Sequence, residues 1–112
     1  MQRSSIRPYS RYSREAVNLL GKLIRSARTE RKMTGTEVSE RAGISRGLLQ
    51  RIEKGEMTSE IGAVFEVAAI VGLKLFDADE SELSRLARQT EDKLALLPKT
   101  VHKKKVVVKD DF

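Results

Sequence analysis

The sequence predicts an all-α protein built from five helices. Apolar residues recur at spacings of three and four through most of residues 16–97, the signature of helices with one buried face. Gly and residues of the capping type (Ser, Thr, Asp) interrupt that pattern at short intervals. Aromatics make up only 4 % of the chain, so Leu, Ile, Val and Ala must fill the core. At 112 residues, the chain suits one small domain with extensions rather than two independent cores.

Met1 to Tyr12 mixes Arg, Ser and Tyr with almost no apolar residues and reads as a flexible basic N-terminal arm. Ser13 is the expected N-cap of the first helix, in which Ala16, Leu20, Leu23, Ile24 and Ala27 share one face up to about Lys32. Either Thr34 or Thr36 caps a second helix over 35–42, which buries Val38 and Ala42. Gly43 follows as a left-handed cap, at a place where a side chain would clash. Ile44 points inward, and Ser45 caps a third helix whose Leu49 and Ile52 face the core and which Gly55 ends.

Thr58 or Ser59 starts the fourth helix, with Ile61, Val64, Phe65, Ala68 and Val71 inside and Gly72 as its stop. Leu73-Lys-Leu-Phe76 fits a brief strand or an extended turn equally well. Asp77 or Asp79 caps the fifth helix, with Leu83, Leu86, Leu94 and Leu97 apolar and Pro98 beyond it. The expected organisation is an arm over 1–12, a domain over 13–98 and a flexible Lys-rich tail over 99–112.

Charge is unevenly spread. Residues 1–32 carry nine Lys/Arg against two acids, 56–98 carry four against nine, and 99–112 carry five against two. A polyanionic partner therefore belongs to the N-terminal half and to the tail. With no Cys there is neither a disulfide nor a thiolate metal site, and no metal or other cofactor is expected. No apolar run approaches the roughly 20 residues of a membrane span, and no apolar signal core opens the chain. A cytoplasmic bacterial protein located at the nucleoid is the simplest expectation. Catalysis is not expected: His102, the only His, lies in the tail, and no phosphate loop or H-E-x-x-H pair is present. Glu80, Glu82 and Asp92 stand near Arg85, Arg88 and Lys93 at spacings that suit surface ion pairs.

What converts basic charge into a site is the stretch 34–55. Two short helices joined through Gly43, with Val38, Ala42, Ile44, Leu49 and Ile52 buried, form a helix-turn-helix. The outer face of the second of these helices carries Arg46, Gln50 and Arg51, donors suited to base edges and phosphates. Ser45 and the free N–H groups of that helix's first turn favour a phosphate. Thr34 or Thr36, Lys54 and Arg28 complete the expected DNA contacts. The reading is that of a sequence-specific DNA-binding protein.

Met33-Thr-Gly-Thr-Glu-Val-Ser-Glu-Arg-Ala-Gly-Ile-Ser-Arg-Gly-Leu-Leu-Gln-Arg-Ile-Glu-Lys-Gly55 resembles the helix-turn-helix of the Xre family, which includes the phage repressor and Cro proteins. The resemblance covers residues 16 to about 97 and implies a five-helix, phage-repressor-like fold. It places Ser45, Arg46, Gly47 and Arg51 where the family touches bases or adjacent phosphates, and Glu53 at an acidic position more often structural than base-reading. Many members carry Gln at the start of the second helix, where this chain has Gly35. Gly47 likewise removes a side chain from a base-facing position, leaving Arg46 and Arg51 as the readers.

A second set of blocks resembles Xre antitoxins encoded beside HipA-type kinase toxins: Tyr12-Ser-Arg-Glu-Ala16, Glu60-Ile-Gly-Ala-Val-Phe-Glu-Val-Ala68, Val71-Gly-Leu-Lys-Leu-Phe-Asp77 and the Lys-rich tail closing in Asp110-Asp-Phe112. The resemblance implies a HipB-like repressor that binds its operator as a dimer and binds a HipA-like serine/threonine kinase toxin. Phe112, with Asp110 and Asp111, is the expected toxin anchor; a tail of no fixed structure and a tail following DNA phosphates are the alternatives. A homodimer on an inverted repeat follows from the few base pairs one such motif reads, with Leu73, Leu75 and Phe76 as the expected interface or else as cover for the fifth helix. Arg3, Arg7 and Arg11 of the arm either reach a minor groove or stay in solvent. The competing readings are a stand-alone Xre-type regulator and an interaction module that has lost DNA binding.

Overall fold

In the computed structural model, which describes residues 8–103, the described residues are helical with no strand. The elements are α1 (Arg11–Glu30), α2 (Gly35–Ala42), α3 (Arg46–Glu53), α4 (Ile61–Ile70), a short 3₁₀ turn (Leu75–Asp77) and α5 (Glu80–Ala95). They fall into two compact units divided after Asp77.

In the first unit, Ile24 and Ala27 of α1, Val38 of α2, Leu49 and Ile52 of α3, and Val67, Ala68 and Val71 at α4 form the core. α1 packs on α3, while α2 packs on both α3 and α4. Ile24, Val38, Val67 and Val71 are fully buried. Two residues expected on the inner face of α1, Ala16 and Leu23, are exposed, as is Ile61 on α4. The periodicity located the faces but drew them one residue-row too wide.

The caps explain where the helices begin and end. α1 starts two residues before the predicted cap, because Ser10 Oγ accepts the Ser13 N–H at 3.1 Å; Ser13 is the donor, not the cap. Arg11 and Tyr12 therefore belong to a helix and not to an arm. α1 stops at Glu30, two residues short of Lys32, which sits in the left-handed region at φ 57°. There Met33 N–H reaches Arg28 O and Lys32 N–H reaches Thr29 O, both at 3.0 Å, the paired bonds of a Schellman ending.

α4 starts at Ile61 with Glu60 as N-cap and no side-chain bond to it. Ser59 Oγ, an expected cap, is buried without a partner. Beyond α4, Gly72 (φ 86°) turns the chain while Arg31 Nη1 donates to Val71 O, so the end of α1 fastens the end of α4. Leu73-Lys-Leu-Phe76 is neither strand nor extended: Phe76 and Asp77 both adopt left-handed φ values, 56° and 52°.

In the second unit α5 is capped by Asp79, one of the two expected caps. Asp79 Oδ1 accepts the Glu82 N–H at 2.9 Å, while Glu82 Oε1 accepts the Asp79 N–H at 3.0 Å. None of its residues is buried, and Leu86 and Leu94 are exposed. Capping and a run of strong helix formers therefore carry this helix locally.

Candidate nucleic-acid interface

The two helices of the motif are fixed by local chemistry. Thr34 is the cap of α2: its Oγ1 accepts the Glu37 N–H at 3.0 Å and its own N–H donates to Glu37 Oε1 at 3.3 Å. Thr36, the alternative cap, is inside the helix. Gly43 ends α2 at φ 71°, with Ile44 N–H bonded to Ser39 O at 2.9 Å. Open space surrounds the position of its missing Cβ, so no neighbour would clash there; the backbone angle alone calls for Gly. Ser45 Oγ then accepts the Leu48 N–H at 3.0 Å and caps α3.

With Leu49 and Ile52 buried, α3 turns Arg46, Gln50, Arg51 and Lys54 outward, and all four are exposed. Arg46 reaches back across the motif, its Nη1 donating to Thr36 Oγ1 at 2.6 Å. Its guanidinium lies against Gly35: a Cβ there would stand 3.2 Å from Arg46 Nε. Arg51 runs along its own helix, with Nη1 3.5 Å from where a Gly47 Cβ would stand and Nε 3.3 Å from Glu56 Oε1. Glu56 was absent from the expected site, since it lies outside the motif that pointed to the others.

Arg28, an expected phosphate contact, is engaged within the protein: its Nε and Nη2 donate to Glu53 Oε2 and Oε1 at 2.7 and 3.0 Å, and its Nη1 donates to Met33 O at 3.0 Å. The side chains are 17 % and 8 % exposed, so this forked pair is enclosed and serves to bind α1 to α3. Hydrogen bonding to Glu53 is the main cause that raises the Arg28 pKa above the ordinary arginine value; burial opposes it and the Glu53 charge adds to it. Glu53 is structural, as the resemblance implied.

Gly21 is a second residue the pattern did not reveal. A Cβ there would fall 2.6 Å from Ile52 O and 2.7 Å from Glu53 O, so the backbone of α1 lies directly on the last turn of α3. Nothing in a helical stripe distinguishes such a glycine from any small residue.

Of the other expected residues, Leu73 and Leu75 are half-buried and pack against the core, while Phe76 is 76 % exposed. Arg11 lies in α1 and makes a 3.9 Å contact with Glu15. Arg3, Arg7, Asp110, Asp111 and Phe112 lie outside the described residues. Among the described residues no cluster of His, Cys, Asp or Glu could hold a metal ion, and no helix is long and apolar enough to cross a membrane.

No curated protein and no solved structure matches the chain. The helix-turn-helix family does match, over residues 24–77, from the middle of α1 to the end of the 3₁₀ turn. Residues 24–77 are accordingly a helix-turn-helix domain of the Xre family, a family of DNA-binding regulators.

Proposed function

We propose that this protein is a transcriptional repressor that binds an inverted-repeat operator as a homodimer and acts as the antitoxin of a HipA-like kinase toxin. The observation that carries the DNA half of the reading is the outward row of Arg46, Gln50 and Arg51 on a short helix capped by Ser45. Such a helix enters a major groove with its N-terminal residues at the base edges. Arg46 and Arg51 are the base readers, with guanine as the favoured target of a guanidinium fork. Ser45, Gly47, Thr34, Thr36 and Lys54 approach the adjoining phosphates.

The antitoxin half rests on the sequence blocks at 12–16, 60–68 and 71–77 and on the Lys-rich tail with its Asp110-Asp-Phe112. Of the three residues assigned to the dimer interface, Phe76 is exposed and available to a symmetry mate, while Leu73 and Leu75 pack against the core. Two motifs related by a two-fold axis would read half-sites about 34–36 Å apart.

Footprinting on the chain's own promoter tests the repressor. A protected inverted repeat is expected, with Arg46→Ala and Arg51→Ala each losing roughly 1–3 kcal/mol of specific binding at one base pair. Full base preference in both variants would remove the assignment of these readers. Co-purification with the product of a neighbouring kinase gene tests the antitoxin role, and deletion of residues 99–112 tests the tail. Undiminished kinase affinity after that deletion takes the tail out of the interface; absence of any kinase leaves a stand-alone regulator.

A further inference from the structure

We propose that Gly35 and Gly47 are specificity-determining residues: each is a seat that holds one reading arginine in place before DNA arrives. The proposal rests on the DNA-binding reading of α3 and adds to it the reason for two glycines at its contact surface.

Both glycines stand where a longer side chain would reach the groove, so from the sequence they look like lost contacts. The structure gives each a different occupant. The Arg46 guanidinium lies on Gly35, with Nε, Cζ and Nη2 at 3.2, 3.4 and 3.4 Å from the position of a Cβ, and Thr36 Oγ1 holds Nη1 from the next residue. The Arg51 guanidinium lies over Gly47, Nη1 at 3.5 Å from the position of a Cβ, and Glu56 Oε1 holds Nε from beyond the helix. Each seat thus combines one missing side chain with one oxygen acceptor. The two pairs are independent, one bridging α2 to α3 and one lying along α3.

A long exposed arginine samples many rotamers, and freezing it on binding opposes association. A guanidinium already resting on bare helix backbone, with one nitrogen tethered, presents its remaining donors in few orientations. The seats also differ in tightness. At Gly35 a methyl group would press on Arg46 more closely than ordinary van der Waals contact; at Gly47 a methyl group stands at ordinary contact distance, and a larger side chain must compete with the Arg51 guanidinium for the space. Because the atoms displaced are the far ends of flexible side chains, enlarging either seat dislodges the arginine without breaking the fold.

Gly35→Leu and Gly47→Leu test this, with Gly47→Ala as the variant that fits. In-vitro selection from a randomised duplex library defines the wild-type base preference. Nitrogen-15 relaxation at the Arg46 and Arg51 Nε reports their order in the free protein. Gly35→Leu should lose about tenfold or more of the preference that Arg46→Ala loses, although Arg46 is intact, and Gly47→Leu should do the same for Arg51. The corresponding Nε should become mobile. Gly47→Ala should keep the order of the Arg51 Nε in the free protein, and the melting temperature of all three should stay at or above wild type.

Unchanged preference and unchanged Nε order in the two Leu variants overturn the seats while leaving DNA binding intact. A wild-type chain that enriches no sequence overturns the DNA-binding reading and the seats with it. If an Leu variant melts lower, Gly35→Ala, which places only the 3.2 Å methyl against Arg46, gives the same test by Nε order alone.

Discussion

Replacing Arg28 by Ala separates a structural arginine from a DNA-contacting one. The substitution removes both arms of the fork to Glu53 and the bond to Met33 O, and it leaves behind a carboxylate on a side chain only 8 % exposed. Breaking an enclosed pair by deleting one partner costs about 3–5 kcal/mol; the 17 % exposure of Arg28 places this case at the lower end, near 3 kcal/mol. For a domain of this size, 1 kcal/mol moves the melting temperature by about 4–8 °C, so a fall of roughly 12–24 °C is expected. Calorimetry or urea melts of Arg28→Ala, Glu53→Ala and the double variant give the coupling directly, expected at about 2 kcal/mol or more. A loss under about 0.5 kcal/mol for Arg28→Ala, with no coupling, would mean the pair behaves as an ordinary surface contact, and the reasoning fails. The same variant, assayed on non-specific duplex below its melting temperature, should keep the wild-type salt slope; a slope smaller by about one would return Arg28 to the phosphates. The raised Arg28 pKa places its contribution in full below the ordinary arginine range, to be lost only as pH rises through the higher folded value. Loss of the Arg28 proton therefore contributes nothing to the pH dependence of stability in ordinary buffers.

Three further outcomes follow from the same contacts. Gly21→Ala drives a methyl group into the Ile52 and Glu53 carbonyls, and should cost about 1–3 kcal/mol in urea melts despite alanine's better helix propensity. Thr34→Ala removes one half of the α2 capping box and should cost about 1 kcal/mol, recovered in large part by Thr34→Ser. Gly43→Ala and Gly55→Ala both place a side chain at positive φ, 71° and 79°, but only the second meets backbone, Asn18 Cα at 2.8 Å. Gly43→Ala should therefore cost about 1 kcal/mol and Gly55→Ala distinctly more, measured side by side by thermal melts.

Features encoded within four residues were legible in the sequence. Ser45 and the Gly43 turn act as read, and α2 spans the predicted 35–42, because caps and left-handed turns are settled by neighbours along the chain. Where two capping residues competed, composition left the choice open, and geometry chose Thr34 over Thr36 and Asp79 over Asp77. Ser10 and its hydrogen-bond donor Ser13 share one chemistry, so residue type alone does not tell which of them caps α1. Contacts between distant residues were not legible. Arg28 and Glu53 lie 25 positions apart, and nothing local distinguishes Arg28 from Arg25 or Arg31. The outer row on α3 was visible as residue types, whereas the lie of each guanidinium depended on what α2 and Glu56 place beside it.

The close approach at Gly21 has a consequence for how such a domain can change its target. α3 is gripped from behind, by the α1 backbone on its last turn, the Arg28 fork at Glu53, and the burial of Leu49 and Ile52. The outward row of α3 takes no part in that grip. Substitutions at exposed positions such as 46, 50 and 51 then fall in the class whose stability cost is within about 0.5 kcal/mol. The outward row of α3 can therefore be rewritten in few steps on an unaltered frame, and under the proposed reading target preference changes without a change of fold.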